Sequence, residues 1–109
     1  ANGYPIILCS NVGFYMKTDA EGFLAMSREP WYHSMLLWGI DTVSSRHGGC
    51  IANSWGSSWV SGREHALGTP RGCFWADARV IDRMLKQGDS YVISNYVGYP
   101  RRDLDYRFY

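Results

Sequence analysis

His33-Ser34-Met35-Leu36-Leu37-Trp38-Gly39-Ile40, the turn-rich run from Asp41 to Gly49, and Cys50-Ile51-Ala52-Asn53-Ser54-Trp55 decide the architecture. The first of these runs is apolar on both faces, as a central strand must be, and the second reads as its partner. Two strands joined by about nine loop residues are most simply an antiparallel pair. His33 is the one ionisable side chain in its run and stands at its leading end, while Asn53 lies in the facing strand.

Upstream of this pair, Tyr4-Pro5-Ile6-Ile7-Leu8-Cys9-Ser10-Asn11-Val12 is a β-branched and apolar run closed by Gly13, again a buried strand. Phe14 to Pro30 reads as an irregular connection punctuated by Gly22 and Pro30. Downstream of Trp55, a small-residue segment with Trp59 embedded in it gives way to a polar loop ending at Gly72, then to a short strand at Cys73 to Trp75. The strongest helix signal follows: Asp77 as N-cap, Val80, Ile81, Met84 and Leu85 on one face, and Gly88 as terminator, for a helix of about ten residues. A last strand is expected from Ser90 to Val97, before a charged and aromatic tail from Arg101 to Tyr109. The sum is an α+β fold, a twisted antiparallel sheet or partial barrel with one packed helix, in one domain over residues 1–109.

The length of 109 residues leaves no room for a second full-size domain, so five Trp, eight Tyr and four Phe must supply much of one core. A formal charge of +1 gives no basic footprint for nucleic acid, and no apolar run is long enough to span a bilayer, so neither nucleic acid nor membrane is an expected partner. Cys9, Cys50 and Cys73 match neither a complete disulfide framework nor paired C-x-x-C ligands; strand packing and one bridge plus a free thiol both remain open for Cys50 and Cys73. His47 and His65 lie in loops without further ligands at metal-like spacing, and both are expected to be solvated; no metal and no cofactor is implied. The N-terminus carries no targeting signal, and Ala1 in place of an initiating Met suggests excision from a longer chain.

His33 and Asn53, twenty residues apart, suit two ends of an antiparallel hairpin whose side chains meet across the ladder. Such a pair has a chemical use, because an imidazole acts as a base through one ring nitrogen only if the other is held as a donor, and an Asn carbonyl does this without adding charge. The rings of Trp55 and Trp59 could shield that bond from water. On spacing alone, a satisfied core or edge histidine and a turn-forming Asn are the more usual reading.

The local words around the pair favour the chemistry. His33 to Asp41, followed by Asn53-Ser54-Trp55-Gly56-Ser57-Ser58-Trp59, closely resembles the C-terminal half of papain-like cysteine peptidases, where a His-small-apolar strand precedes Asn-Ser-Trp-Gly-x-x-Trp. Gly3-Tyr4-Pro5-Ile6-Ile7-Leu8 looks like the strand that family places before its His, and Gly72-Cys73-Phe74-Trp75 falls where it has a Gly-aromatic strand. The likeness spans approximately residues 3 to 76; the helix beyond departs from the plant enzymes and looks more like a bacterial or phage-type extension.

The resemblance implies that His33 is the general base and acid partner of a thiolate and that Asn53 orients it. It further implies that Trp55 covers their bond, that Trp59 walls the leaving-group side of the cleft, and that Ser34 and Cys9 border the pocket for the substrate side chain second from the scissile bond. Polypeptide is then the substrate. In that family the nucleophilic Cys lies roughly 130 to 150 residues before the His, so a Cys-bearing N-terminal half of the same peptidase is an expected partner and the isolated chain is expected to be inactive. The Gln of the oxyanion hole belongs to that half too. Cys9 itself, inside an apolar strand with no basic neighbour, reads as a small buried hydrophobe rather than the nucleophile. A non-catalytic relative that binds peptide or builds a particle is the alternative, and secreted, lysosome-like and virion locations all suit the likeness.

Overall fold

Five strands and one helix form the described part of the chain, residues 4–92 of a computed structural model: β1 (Ile6–Ser10), β2 (His33–Asp41), β3 (Gly48–Ala52), β4 (Cys73–Asp77), α1 (Ala78–Leu85) and β5 (Tyr91–Val92). They make one sheet in the order β4-β3-β2-β1-β5, antiparallel at every pairing. The apolar β2 is the middle strand, but it is not buried on both faces: Met35 and Leu37 are buried, while Ser34, Trp38 and Ile40 are exposed. Ile6, Leu37, Ile51 and Phe74 face one another in a row across four strands, with Leu8 and Met35 paired alongside. These residues join Ile81 and Met84 of α1 in the main core.

The helix begins where its cap predicts. Asp77 accepts a hydrogen bond from the Arg79 amide at 2.9 Å, satisfying an end group that the helix itself cannot. Ile81 and Met84 are buried and Val80 packs at the core's edge, but Leu85 stays partly exposed, and the helix has eight residues rather than about ten. Of the strand expected over Ser90 to Val97, Tyr91 and Val92 pair with β1; the rest lies outside the described residues.

The irregular connection from Phe14 to Pro30 contributes more to the core than its sequence pattern conveys. Its Phe14 and Leu24 enter the main core, and Phe23 joins Cys50, Cys73 and Trp75 in a second cluster. Arg46 fastens this connection to the helix start: its guanidinium bonds Asp19 at 2.8 Å and Asp77 at 2.9 Å and lies 4.0 Å from the Phe23 ring centre. Burial works to raise both carboxyls, but the Arg46 bonds and the amides of nearby residues prevail and hold them below the usual carboxylate range.

Two further expectations are corrected, and one alternative the sequence leaves open is resolved. The third strand ends at Ala52 instead of Trp55: the Asn53 amide still bonds the Gly72 carbonyl at 3.2 Å, in register with β4, but the backbone bends at Ser54 and Trp55. Cys50 and Cys73 are both buried free thiols, so the alternative of a disulfide between them is not what the fold uses; burial, with Cys73 beside it, pushes the Cys50 thiol up to about 12. His65 is buried, not solvated. It stacks on Trp75 with ring centres 3.9 Å apart, its Nδ1 accepts from the Leu67 amide at 3.0 Å, and its Nε2 lies 3.9 Å from the buried Asp41 carboxylate. His47 is exposed, as read.

Candidate active site

His33 opens β2 opposite Ser10 of β1, so its backbone is fixed by the central ladder while its half-buried ring sits at the sheet's end. Asn53 arrives from the other side. Gly72, at φ +78, presents one carbonyl to both the Asn53 amide and the Trp59 indole N–H, the latter at 3.2 Å. A side chain there would be strained and would meet the Gly56 carbonyl at 2.9 Å, so glycine is what lets this loop close on the sheet.

The Asn53 side-chain oxygen accepts from the Ser54 amide at 2.7 Å and faces His33 Nε2 at 2.6 Å. An amide N–H can only donate, which identifies the Asn atom as oxygen; His33 Nε2 must then be the donor. In the neutral ring this leaves the lone pair on Nδ1, the arrangement a general base needs. Asn53 Nδ2 is buried without a hydrogen-bond partner among the described residues, an unfavourable feature of this placement.

Trp55 stacks on one face of the His33 ring, with centres 5.4 Å apart and planes 22° from parallel. Trp59 meets Trp55 edge-on at 5.2 Å and Phe74 of the core at 5.4 Å. Trp59 is therefore tethered to the core as well as facing the loop. Trp31, which sequence reasoning did not single out, lies 4.6 Å from Trp55 and 5.9 Å from Phe14. Its only signal in the sequence is its place two residues before His33, which no periodicity distinguishes.

On the other side of His33 an open groove of about 700 Å³ is lined by Cys9, Ser34, Tyr32, Gln87 and Asp89 among others. Cys9 Sγ is 3.1 Å from Ser34 Oγ, and Cys9 is half-buried at the groove, not the buried hydrophobe its strand suggested. Cys9 pairs with Ser34 and Ser10 with His33, so Cys9 and His33 leave opposite faces of the sheet. The expected residues thus fall into two groups that share His33: Asn53, Trp55 and Trp59 around the ring, Cys9 and Ser34 along the groove. The helix end is tied to the groove's rim, since the Gln87 amide exchanges two hydrogen bonds with Asn11, at 2.9 and 2.7 Å. No cluster of three or more His, Cys, Asp or Glu among the described residues is disposed to hold a metal ion.

Comparison of the chain with protein-family models, with curated proteins and with solved structures finds no match in any of the three.

Proposed function

We propose that the chain is the His- and Asn-bearing half of a papain-like cysteine peptidase, completed by a second half that brings the nucleophilic Cys. The observation that carries this reading is the 2.6 Å bond from His33 Nε2 to Asn53, with the Ser54 amide fixing which atom accepts. Spacing explains how the two residues meet; the orientation of the amide gives the imidazole a defined tautomer, which a mere turn-forming Asn has no need to do.

In the reaction, Nδ1 of His33 takes the proton from the incoming thiol, and the thiolate adds to the peptide carbonyl carbon. The imidazolium then carries N–H on both nitrogens; Nε2 stays bonded to Asn53 while Nδ1 gives its proton to the departing amine as the C–N bond breaks. Water, deprotonated by the same nitrogen, cleaves the thioester and returns the thiol. Asn53 is neutral, so it orients the ring without trapping the proton. The Trp55 stack against the His33 ring favours a drier His33–Asn53 bond, and the groove beside Cys9 and Ser34 offers a place for an extended substrate.

The test supplies a Cys-bearing half, either fused ahead of Ala1 or as a separate polypeptide, and treats the assembly with a thiol-directed epoxide. A covalent adduct on the supplied Cys that disappears in His33→Ala is the expected result. An adduct of equal yield with and without His33 would remove the base from the reaction. Saturable peptide binding in the groove with no adduct would favour the non-catalytic relative.

A further inference from the structure

Two rings, Trp59 and Trp31, link the core to the cover of His33, and the nearer to Trp55, Trp31, has no role in the reaction as written. We infer that Trp31 is a positioning residue: it holds Trp55 on the His33 imidazole and thereby keeps the Nε2–H to Asn53 bond dry. This rests on the peptidase reading for its purpose, but its physical content concerns this chain alone.

Trp55 depends on other rings to stay in place. Trp55 lies beyond the end of β3, is 42% exposed, and is followed by Gly56 at φ +96, so no ladder fixes it. Its ring contacts are His33, Trp59 and Trp31, and the centre of Trp31 is the nearest, at 4.6 Å against 5.2 and 5.4 Å. Trp31 in turn is held from three sides. Its amide donates to the Asn11 carbonyl at 3.1 Å, its ring meets the buried Phe14 edge-on, and it sits against Gly13. A Cβ at Gly13 would fall 2.8 Å from the Trp31 ring and onto the Glu29 carbonyl, so the glycine leaves the space that the indole uses. Trp31 therefore passes the rigidity of the core to a cover that has little of its own. Trp59 also reaches the core, through Phe74, but it meets Trp55 edge-on at 5.2 Å, whereas the Trp31 centre lies at 4.6 Å.

A residue that merely fills space would, when trimmed, cost stability and leave the His33 bond alone. A positioning residue would expose that bond to water. The measurement is the downfield imidazole N–H resonance of His33 in the ¹H spectrum of the chain near neutral pH, assigned by its absence from His33→Gln. Trp31→Leu, which keeps apolar bulk but no ring, should lose this resonance to solvent exchange while the amide signals of β1, β2 and β3 persist. Trp31→Phe, the milder change should Leu disturb folding, should keep the resonance but broaden it. Trp38→Leu, at an exposed ring on β2 outside the cluster, should leave it sharp. A resonance as sharp in Trp31→Leu or Trp31→Phe as in the parent chain would overturn the inference and leave the peptidase reading standing. Absence of the resonance from the parent chain itself would instead strike at the His33–Asn53 bond on which that reading depends.

Discussion

Replacing Asn53 with Ala should cost the fold little while uncoupling it from His33. The side-chain oxygen accepts two hydrogen bonds, from His33 and from the Ser54 amide, and bonds of this kind contribute about 0.5–1.5 kcal/mol each. The same substitution removes Nδ2, a buried donor with no partner among the described residues, whose burial costs about 1–3 kcal/mol. Loss and relief are of the same size, so Asn53→Ala is expected within about 1 kcal/mol of the parent, a midpoint change of less than about 8 °C. The His33 to Asn53 term alone is isolated by a double-mutant cycle over His33→Ala, Asn53→Ala and the double variant, read by urea unfolding with slopes held comparable. Its coupling energy should be about 0.5–1.5 kcal/mol. A coupling indistinguishable from zero, together with a loss above about 3 kcal/mol for Asn53→Ala alone, would show that Asn53 serves the turn and not the ring.

Four further outcomes follow from other parts of the structure. Gly72→Ala forces a Cβ into a backbone at φ +78 and against the Gly56 carbonyl, so it should destabilise by about 1–3 kcal/mol in the same unfolding assay; a change below about 0.3 kcal/mol would remove Gly72 from the account of how Asn53 is placed. Burial pushes the His65 pKa below its ordinary 6.5 although Asp41 pulls it back, so as pH falls through 6.5 the unfolded chain takes up a proton that the folded chain refuses and stability declines. Urea midpoints should therefore drop between pH 7.5 and 5.5, and His65→Gln should flatten that part of the curve; an unchanged slope would contradict it. The lowered carboxyls of Asp19, Asp41 and Asp77 add stability that is complete above about pH 3.8 and is lost as pH falls through their folded values, in a separate, more acidic window that His65→Gln leaves intact. Iodoacetamide at pH 8 should modify Cys9 at the groove well before the buried Cys50 and Cys73, as peptide mass mapping would show; equal labelling of all three would mean the β3–β4 cluster opens readily.

Much of the fold was legible because its signals are local. The apolar β2 run, the Asp77 cap and the Val80, Ile81 and Met84 spacing each depend on neighbours a few residues away, and each element formed near its expected place. The end of β3 was not legible, since the bend at Ser54 and Trp55 brings the indole onto His33, twenty-two residues back in the sequence, and no local pattern marks it. His65 was misread for a similar reason: its surroundings in sequence are polar, but Trp75, Phe23 and Asp41, which enclose it, come from three other segments. In the connection from Phe14 to Pro30, burial without regular strands leaves no period to detect, although Phe14, Phe23 and Leu24 are all buried. At the candidate site, the meeting of His33 and Asn53 was foreseen, whereas the support that Trp31 gives Trp55 depends on packing across loops and had no sequence pattern to announce it.

The tautomer of His33 in the chain itself tests the central claim most directly, and a long-range ¹H–¹⁵N correlation spectrum at a pH where the ring is neutral reads it. Nε2 should show the shift of a protonated ring nitrogen and Nδ1 that of a bare one. Protonation at Nδ1, or rapid averaging of the two nitrogens, would mean that Asn53 does not hold the ring and that no base is prepared at this site.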